Sequence, residues 1–348
     1  MDAVTDRSAS FLAHGAESLV AASECASPNC SRIQPYFMLY SAPTIQPLRN
    51  GILMNDRPAK KITLSPRTKE LYRQMRTCSL CPRRCGVDRI AAKKGACRVT
   101  AEMLVSSIGP HFGEESVLVG DGGSGTIFFA GCNLACVFCQ NYDISHYSRG
   151  VPVGVEQLAR EMLRLQDIGC TNVNLVTPTH VVAPVAAAIE TARSNGLRLP
   201  IVYNCGGYES VEILRLLHGL IDIYMPDMKY ADARTAERLS GVPNYPEVCF
   251  AAVREMHRQV GDLAIHRGTA ARGLLVRHLV LPNNLAGSRT IFEFLAREIS
   301  PSTAVNIMDQ YRPCFRASQY PGLNRPVPRD QYAAALSCAR QKGLRIID

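Results

Sequence analysis

The chain has 348 residues, a formal net charge of +9, 47% hydrophobic residues and 20% charged ones. That size and balance suit one large α/β domain or two ordinary ones, and exclude a disordered, collagen-like or coiled-coil protein. No stretch reaches the roughly 20 apolar residues of a membrane span, and a chain this long with fourteen cysteines is no disulfide-knotted miniprotein.

Residues 1–60 mix Ala, Ser and Pro without a sustained period and read as an irregular or poorly ordered extension. The opening M-D-A-V-T-D-R-S lacks the basic segment of a secretory leader. A cytoplasmic, reducing compartment is therefore expected, where closely spaced cysteines mark metal or redox sites. Residues 61–120 read as a basic, cysteine-rich module. From Arg57 to Arg98 thirteen Lys and Arg face only Glu70 and Asp88, a local net of +11, so the rest of the chain carries −2. Such a run is a solvated face or a docking patch for an acidic partner. Nucleic acid is not expected, because no aromatic residues interleave the charges. Cys78, Cys81, Cys85 and Cys97 follow C-x2-C-x3-C-x11-C, a spacing that can close a tetrahedral site. A structural zinc, an auxiliary iron–sulfur cluster and unmetallated thiols are the alternatives.

Residues 121–348 alternate short apolar runs with helical stretches. Strands are predicted at 126–130, 172–176, 199–203, 220–225, 274–281 and 304–308. Helices are predicted at 155–166, 182–194, 210–217, 233–239, 245–260, 288–298 and 329–342. Strand followed by helix, six times over, predicts a parallel α/β sheet, doubly wound or closed toward a barrel. No G-x-G-x-x-G follows the first strand, which weighs against a dinucleotide fold. Polar residues instead stand just past the strand ends: Asn133, Thr177 to His180, Asn204, Asp227, Lys229 and Asn283. In a parallel barrel that rim carries the chemistry.

The first strand runs into G-C-N-L-A-C-V-F-C-Q-N at 131–141, so that Cys132, Cys136 and Cys139 follow C-x3-C-x2-C. Three thiolates on one loop can hold three irons of a [4Fe–4S] cluster and leave the fourth iron open; a zinc with a distant fourth ligand is the alternative. The remaining seven cysteines, Cys25, Cys30, Cys170, Cys205, Cys249, Cys314 and Cys338, read as small buried hydrophobes.

With G-S-G-T-I-F-F-A-G-C-N-L-A-C-V-F-C-Q-N at 123–141, N-V-N-L-V-T-P-T-H at 172–180, P-I-V-Y-N-C-G-G-Y-E at 200–209, D-I-Y-M-P-D-M-K-Y at 222–230 and R-H-L-V-L-P at 277–282, residues 70–345 resemble the radical S-adenosylmethionine superfamily. More narrowly they resemble its PflX-like branch, related to the activating enzyme of pyruvate formate-lyase. The resemblance implies a partial (β/α)6 TIM-like barrel behind the N-terminal cysteine-rich module, a [4Fe–4S] cluster on Cys132, Cys136 and Cys139, and S-adenosylmethionine chelated to the open iron. One electron then cleaves the sulfonium to give a 5′-deoxyadenosyl radical that abstracts hydrogen from a substrate. A flavodoxin- or ferredoxin-type reductant is implied, and a glycyl-radical or other protein substrate. Residue by residue, Thr179 falls where the family meets the methionine amino group, although its usual Gly-Gly-Glu is absent here. Asn204 falls near the ribose or carboxylate. Asp227 and Lys229 match the Asp-x-Lys of the activating enzymes, and His278, drawn as inward with Val276 and Val280, falls near the ribose. Radical modification of a small molecule, protein or RNA residue is the runner-up. A non-catalytic electron carrier is the third reading, and it would need no S-adenosylmethionine pocket.

Overall fold

The computed structural model describes residues 63–348; the expected 1–60 extension, with Cys25 and Cys30, lies outside the described residues. Helix α1 (Pro66–Arg73) starts where Ser65 accepts the Thr68 amide at 3.2 Å and proline occupies the first turn, two features that satisfy or remove otherwise unpaired N–H groups. The cysteine-bearing segment that follows has neither helix nor strand. It is stitched by backbone bonds such as Cys78 N–H to Val87 O and Gly86 N–H to Cys78 O, both 3.0 Å.

Next come β1 (Met103–His111), a short α2 (Ser116–Val119), β2 (Ser124–Phe129), α3 (Tyr142–Ser145) and β3 (Val151–Val153). The repeating body then runs α4 (Val155–Asp167), β4 (Val173–Val176), α5 (Val182–Ser194), β5 (Ile201–Cys205), α6 (Val211–Leu216), β6 (Ile223–Pro226), α7 (Ala233–Ser240) and α8 (Tyr245–Val260). It ends with β7 (Ala264–His266), β8 (Thr269–Leu279), α9 (Ser288–Phe294), β9 (Ala304–Met308), α10 (Arg329–Gln341) and β10 (Arg345–Ile346). The sheet order is β10-β9-β8-β6-β5-β4-β2-β1-β3. The six predicted strands are β2, β4, β5, β6, β8 and β9, and each pairs parallel with its neighbour.

Hydrogen bonds across the concave face show that the sheet curls into a partial barrel. Arg277 on β8 reaches past β6 to Asn204 on β5 (2.9 Å). The adjacent residues Glu114 and Glu115 bond Asn174 on β4 (3.1 Å) and Asn306 on β9 (3.0 Å). The outer face packs on the helices through residues such as Ile127, Leu175, Tyr203, Tyr224 and Val276. The inner face forms a separate small core of Val202, Ile223, Met225, Leu275 and Ala304, closed from below by Leu118 of α2.

One register expectation is corrected here. Alternation places Leu274 and Val276 on the outer face and Leu275 on the inner one, so Arg277 points in and His278 points out. A slip of one residue exchanges the two faces of a strand.

Candidate functional site

Above the inner apolar floor the inward positions turn polar. Asn174, Asn204, Asp227, Arg277 and Asn306 each stand two residues beyond, or in register with, a floor or wall residue of their strand. Asp227 is gripped twice: Lys229 Nζ lies 2.6 Å from Oδ2, and Arg277 Nε donates to Oδ1 at 2.8 Å. Burial opposes the Asp227 carboxylate, but the Arg277 and Lys229 cations outweigh it and hold the group below its usual range. Burial likewise opposes the Lys229 ammonium; Asp227 and then Cys136 overcome it and raise Lys229 above its ordinary value.

Geometry places Lys229 beside the cysteine loop: a Cβ on Gly206 would meet Leu134 Cδ1 at 2.8 Å and Lys229 Cε at 3.8 Å. Gly131, at φ +88°, opens the loop; a Cβ there would meet Cys97 O at 2.8 Å and Val99 Cγ1 at 2.9 Å, so both the conformation and the space require glycine. Backbone bonds from Ala135 N–H to Ser240 O (3.1 Å) and Val137 N–H to Leu239 O (2.9 Å) pin the loop to the end of α7. Each of the three sulfurs has its own hydrogen-bonding neighbour. The Leu134 amide donates to Cys132 Sγ at 3.4 Å, the Ser240 hydroxyl to Cys136 Sγ at 3.0 Å, and Ser145 Oγ lies 3.1 Å from Cys139 Sγ. Burial first, and the neighbouring Cys136 and Cys139 thiols next, push Cys132 up to about 12, while Lys229 pulls it down. Cys139 is raised in the same way.

The four N-terminal cysteines also come together. Cys78 and Cys85 share a hydrogen bond, and a Cβ on Gly95 would touch Cys85 Sγ at 3.2 Å and Cys97 Sγ at 3.4 Å. Burial, with Cys97 and Cys78 nearby, pushes Cys81 up to about 12. Among the described residues, however, no group of three or more Cys, His, Asp or Glu side chains is arranged to hold a single metal ion. For zinc, one of the three alternatives for this group, the described residues thus present no closed ligand set. A cubane cluster spreads its ligands over separate irons, so the same finding does not count against Cys132, Cys136 and Cys139. Their donor chemistry, three sulfurs of one loop supplied with hydrogen bonds, fits such a cluster.

Asn204, Asp227 and Lys229 therefore meet around Arg277, and Lys229 joins them to the cysteine loop. Two other predicted site residues are engaged within the protein. Thr179, 1% exposed, donates its hydroxyl to Glu209 at 2.6 Å instead. His278 is fully buried, with Nδ1 2.8 Å from Met228 O and Nε2 2.9 Å from Ser288 Oγ, so neither nitrogen remains for a ribose. Asn133 donates to Tyr208 O (2.7 Å), Asn283 to Gly322 O (3.2 Å), and Phe138 packs edge-on to Tyr230 and Tyr311. Arg277, Glu114, Glu115 and Glu209 are site or near-site residues that the sequence reading passed over. Arg277 was within reach of it, since only the strand register hid the side chain. Glu114 and Glu115 enter from a turn with no periodic signal. Thr177, ending β4, holds φ +59°, a strained value for a β-branched residue; such strain collects at functional turns.

A curled parallel sheet whose first strand delivers three thiols beside a half-buried ammonium fits an iron–sulfur enzyme, and comparison with known proteins says of which kind. Residues 126–268 match the family model described as Radical SAM superfamily. The protein named "Uncharacterized protein MJ0674" from Methanocaldococcus jannaschii is 34% identical over 282 residues, which cover 78% of this chain and 77% of that protein. The chain belongs to the radical SAM superfamily, and with that come a [4Fe–4S] cluster, S-adenosylmethionine and the need for a reductant. Among solved structures it is similar to Streptococcus suis SuiB bound to precursor peptide SuiA (TM-score 0.43, 10% identity, covering 62% of this chain and 46% of that one). It is also similar to a radical SAM methyltransferase from Sphaerobacter thermophilus (TM-score 0.41, 16% identity, 64% of each chain). The chain spans less than two thirds of the length of either structure. No helix among the described residues is long and apolar enough to cross a membrane.

Proposed function

We infer that this chain uses Cys132, Cys136 and Cys139 to hold the cluster and the Asn204–Asp227–Lys229–Arg277 network to orient S-adenosylmethionine, and that it abstracts hydrogen from a substrate inside the barrel. The observation that carries this is the position of Lys229, bonded to Asp227 at 2.6 Å and sharing the space over Gly206 with Leu134 of the cysteine loop: a fixed cation there suits the methionine carboxylate. When bound, the cluster supplies the electron that splits the sulfonium into methionine and a 5′-deoxyadenosyl radical. The protein's share is positional. Ser240, Ser145 and the Leu134 amide polarise the sulfurs, Asp227 holds Lys229 and Arg277 together, and the apolar floor with Leu118 excludes water from below. Anaerobically reconstituted protein, given dithionite and S-adenosylmethionine, is expected to form 5′-deoxyadenosine. Product no greater than that of Cys136→Ala would overturn the reading.

Installing a glycyl radical on a partner protein is the finer reading, supported by the likeness of D-I-Y-M-P-D-M-K-Y at 222–230 to the activating enzymes. A flavodoxin- or ferredoxin-type protein is the proposed reductant. For Cys78, Cys81, Cys85 and Cys97 the proposal is an auxiliary metal group. Their proximity supports it, and no step is routed through it. Metal per chain should fall in Cys81→Ser, and equal content to wild type refutes the site.

A further inference from the structure

Two buried acceptors in the polar layer have no hydrogen-bond donor: Oε2 of Glu115 and Oδ1 of Asn174. Glu115 is 5% exposed and Asn174 fully buried. Each such atom costs roughly 1–3 kcal/mol if nothing meets it. Neither can be relieved by turning a side chain. Glu115 Oε1 already accepts from Asn306 Nδ2 at 3.0 Å, and the Arg277 guanidinium stands 4.0 Å away, beyond hydrogen-bond reach. Arg277 is committed elsewhere, to Asp227 and Asn204. The Asn174 amide is fixed in the same way. Its Nδ2 donates to Glu114 Oε2 at 3.1 Å. Burial works against that carboxylate, but His111 and Arg277 keep it below its ordinary range. An ionised Glu114 can only accept, so the NH2 must face it and Oδ1 is the atom left over.

The layer lacks donors, and it lacks positive charge. Glu114, Glu115 and Asp227 bring three carboxylates against two permanent cations: Lys229 pairs with Asp227, Arg277 is shared between Asp227 and, at 4.0 Å, Glu115, and the titratable His111 stands 2.9 Å from Glu114 Oε1. Glu114 and Glu115 hang between β1 and α2, and together they tie β4 to β9 across the open concave face. They follow β1, whose last residue, His111, pairs with Ser124 at the start of β2, so they lie at the opposite end of that strand from the cysteine loop. A carboxylate or phosphate there would meet Glu115 with like charge. A neutral hydroxyl would satisfy one acceptor and leave the charge unanswered. An ammonium or guanidinium offers several donors and the missing charge at once.

We propose that Glu115 and Asn174 form the recognition site for a cationic nitrogen group on the molecule that donates hydrogen. This rests on the radical-enzyme reading for the identity of that molecule, but the preference for a cation is a property of the chain alone.

The test uses the full chain and n-propylammonium as probe, with propionate and propionamide as comparators at matched ionic strength, followed by thermal unfolding and by titration. The ammonium is expected to raise the unfolding midpoint by roughly 2 °C at ten times its dissociation constant, and the comparators are expected to leave it unmoved. Glu115→Gln keeps the shape and the Oε1 bond to Asn306 while removing the charge, and should weaken propylammonium by roughly tenfold or more. Asn174→Ala removes the second acceptor without altering charge and should weaken it too, so the site remains testable if one variant folds poorly. Equal stabilisation by propionamide or propionate, or unchanged ammonium affinity in both variants, overturns the proposal. Its failure is separable from that of the reaction. A wild type that forms 5′-deoxyadenosine but shows no ammonium preference sinks only the recognition site. One that prefers ammonium but forms no 5′-deoxyadenosine sinks only the chemistry.

Discussion

Asp227 sits between Lys229 and Arg277, and its removal exposes what it does for both. With an asparagine there, two half-buried cations would lose their shared counter-charge, leaving Arg277 only Glu115 at 4.0 Å. Breaking a buried ion pair from one side costs about 3–5 kcal/mol, so Asp227→Asn should lower the unfolding free energy by that order. Lys229→Gln asks a different question, because it leaves Asp227 still paired with Arg277 at 2.8 Å. Its stability loss should be the smaller of the two. Its loss of S-adenosylmethionine affinity should reach roughly tenfold or more, the value of one charge-assisted hydrogen bond. Equilibrium dialysis with labelled S-adenosylmethionine, beside urea unfolding of both variants, separates the roles. If Lys229→Gln binds as tightly as wild type, Lys229 is only a structural counter-ion for Asp227.

At the scale of elements, the N-terminal segment braces the catalytic loop. Arg83 donates to Asn133 O at 2.8 Å, to Gly241 O at 2.8 Å and to Ser240 O at 3.4 Å, so one guanidinium joins the cysteine segment, the cluster loop and the end of α7. Arg89, 1% exposed, donates to Thr100 O and His180 O. The basic run that reads in sequence as a docking face is therefore partly internal bracing. Arg83→Ala should leave the loop held to α7 only by its two backbone bonds, lowering iron retained after reconstitution and speeding proteolysis within residues 74–100. Unchanged iron and unchanged cleavage would show the brace to be dispensable. These cases also show what a sequence can disclose. The six parallel strands were legible because each is a short apolar run bounded by turn residues, and 182–194, 245–260 and 304–308 match their elements end to end. The antiparallel β1, β3 and β7 were not, because they are partly exposed and carry no clean alternation. The cysteine loop announces itself by spacing alone. The polar layer does not, since it depends on which face of β8 is inward, and on Glu114 and Glu115 folding across the barrel from a segment distant in sequence.

For the whole molecule the buried titratable groups set an acid limit on stability. His180 and His278 are both fully enclosed, and burial lowers each from 6.5 to about 4. Their rings stay neutral: His180 Nε2 donates to Ala130 O at 2.8 Å, while its Nδ1 is buried without a partner. Between pH 6.5 and 4 the unfolded chain takes up protons that the native one refuses, so stability is present above 6.5 and is lost as pH falls. Each histidine contributes roughly 3 kcal/mol over that window. Glu209 acts in the opposite sense. Burial raises it from 4.5 to about 7 against hydrogen bonds from Thr179 and Tyr203. The native chain therefore holds a proton there that the unfolded one has released, and stability declines as pH rises from 4.5 to 7, again by roughly 3 kcal/mol. Asp227 and Glu255, both held below their ordinary values, add losses only on the acid side. Two histidines against one glutamate leave a net rise of stability from pH 4 to 6.5. Urea unfolding across pH 4.5–7.5 should show that rise. His278→Gln should flatten it by roughly one histidine's share, and Glu209→Gln should steepen it. Because the two substitutions are expected to move the slope in opposite directions, a common loss of stability cannot imitate the result, and parallel shifts in both would mean that these groups do not govern the acid limit.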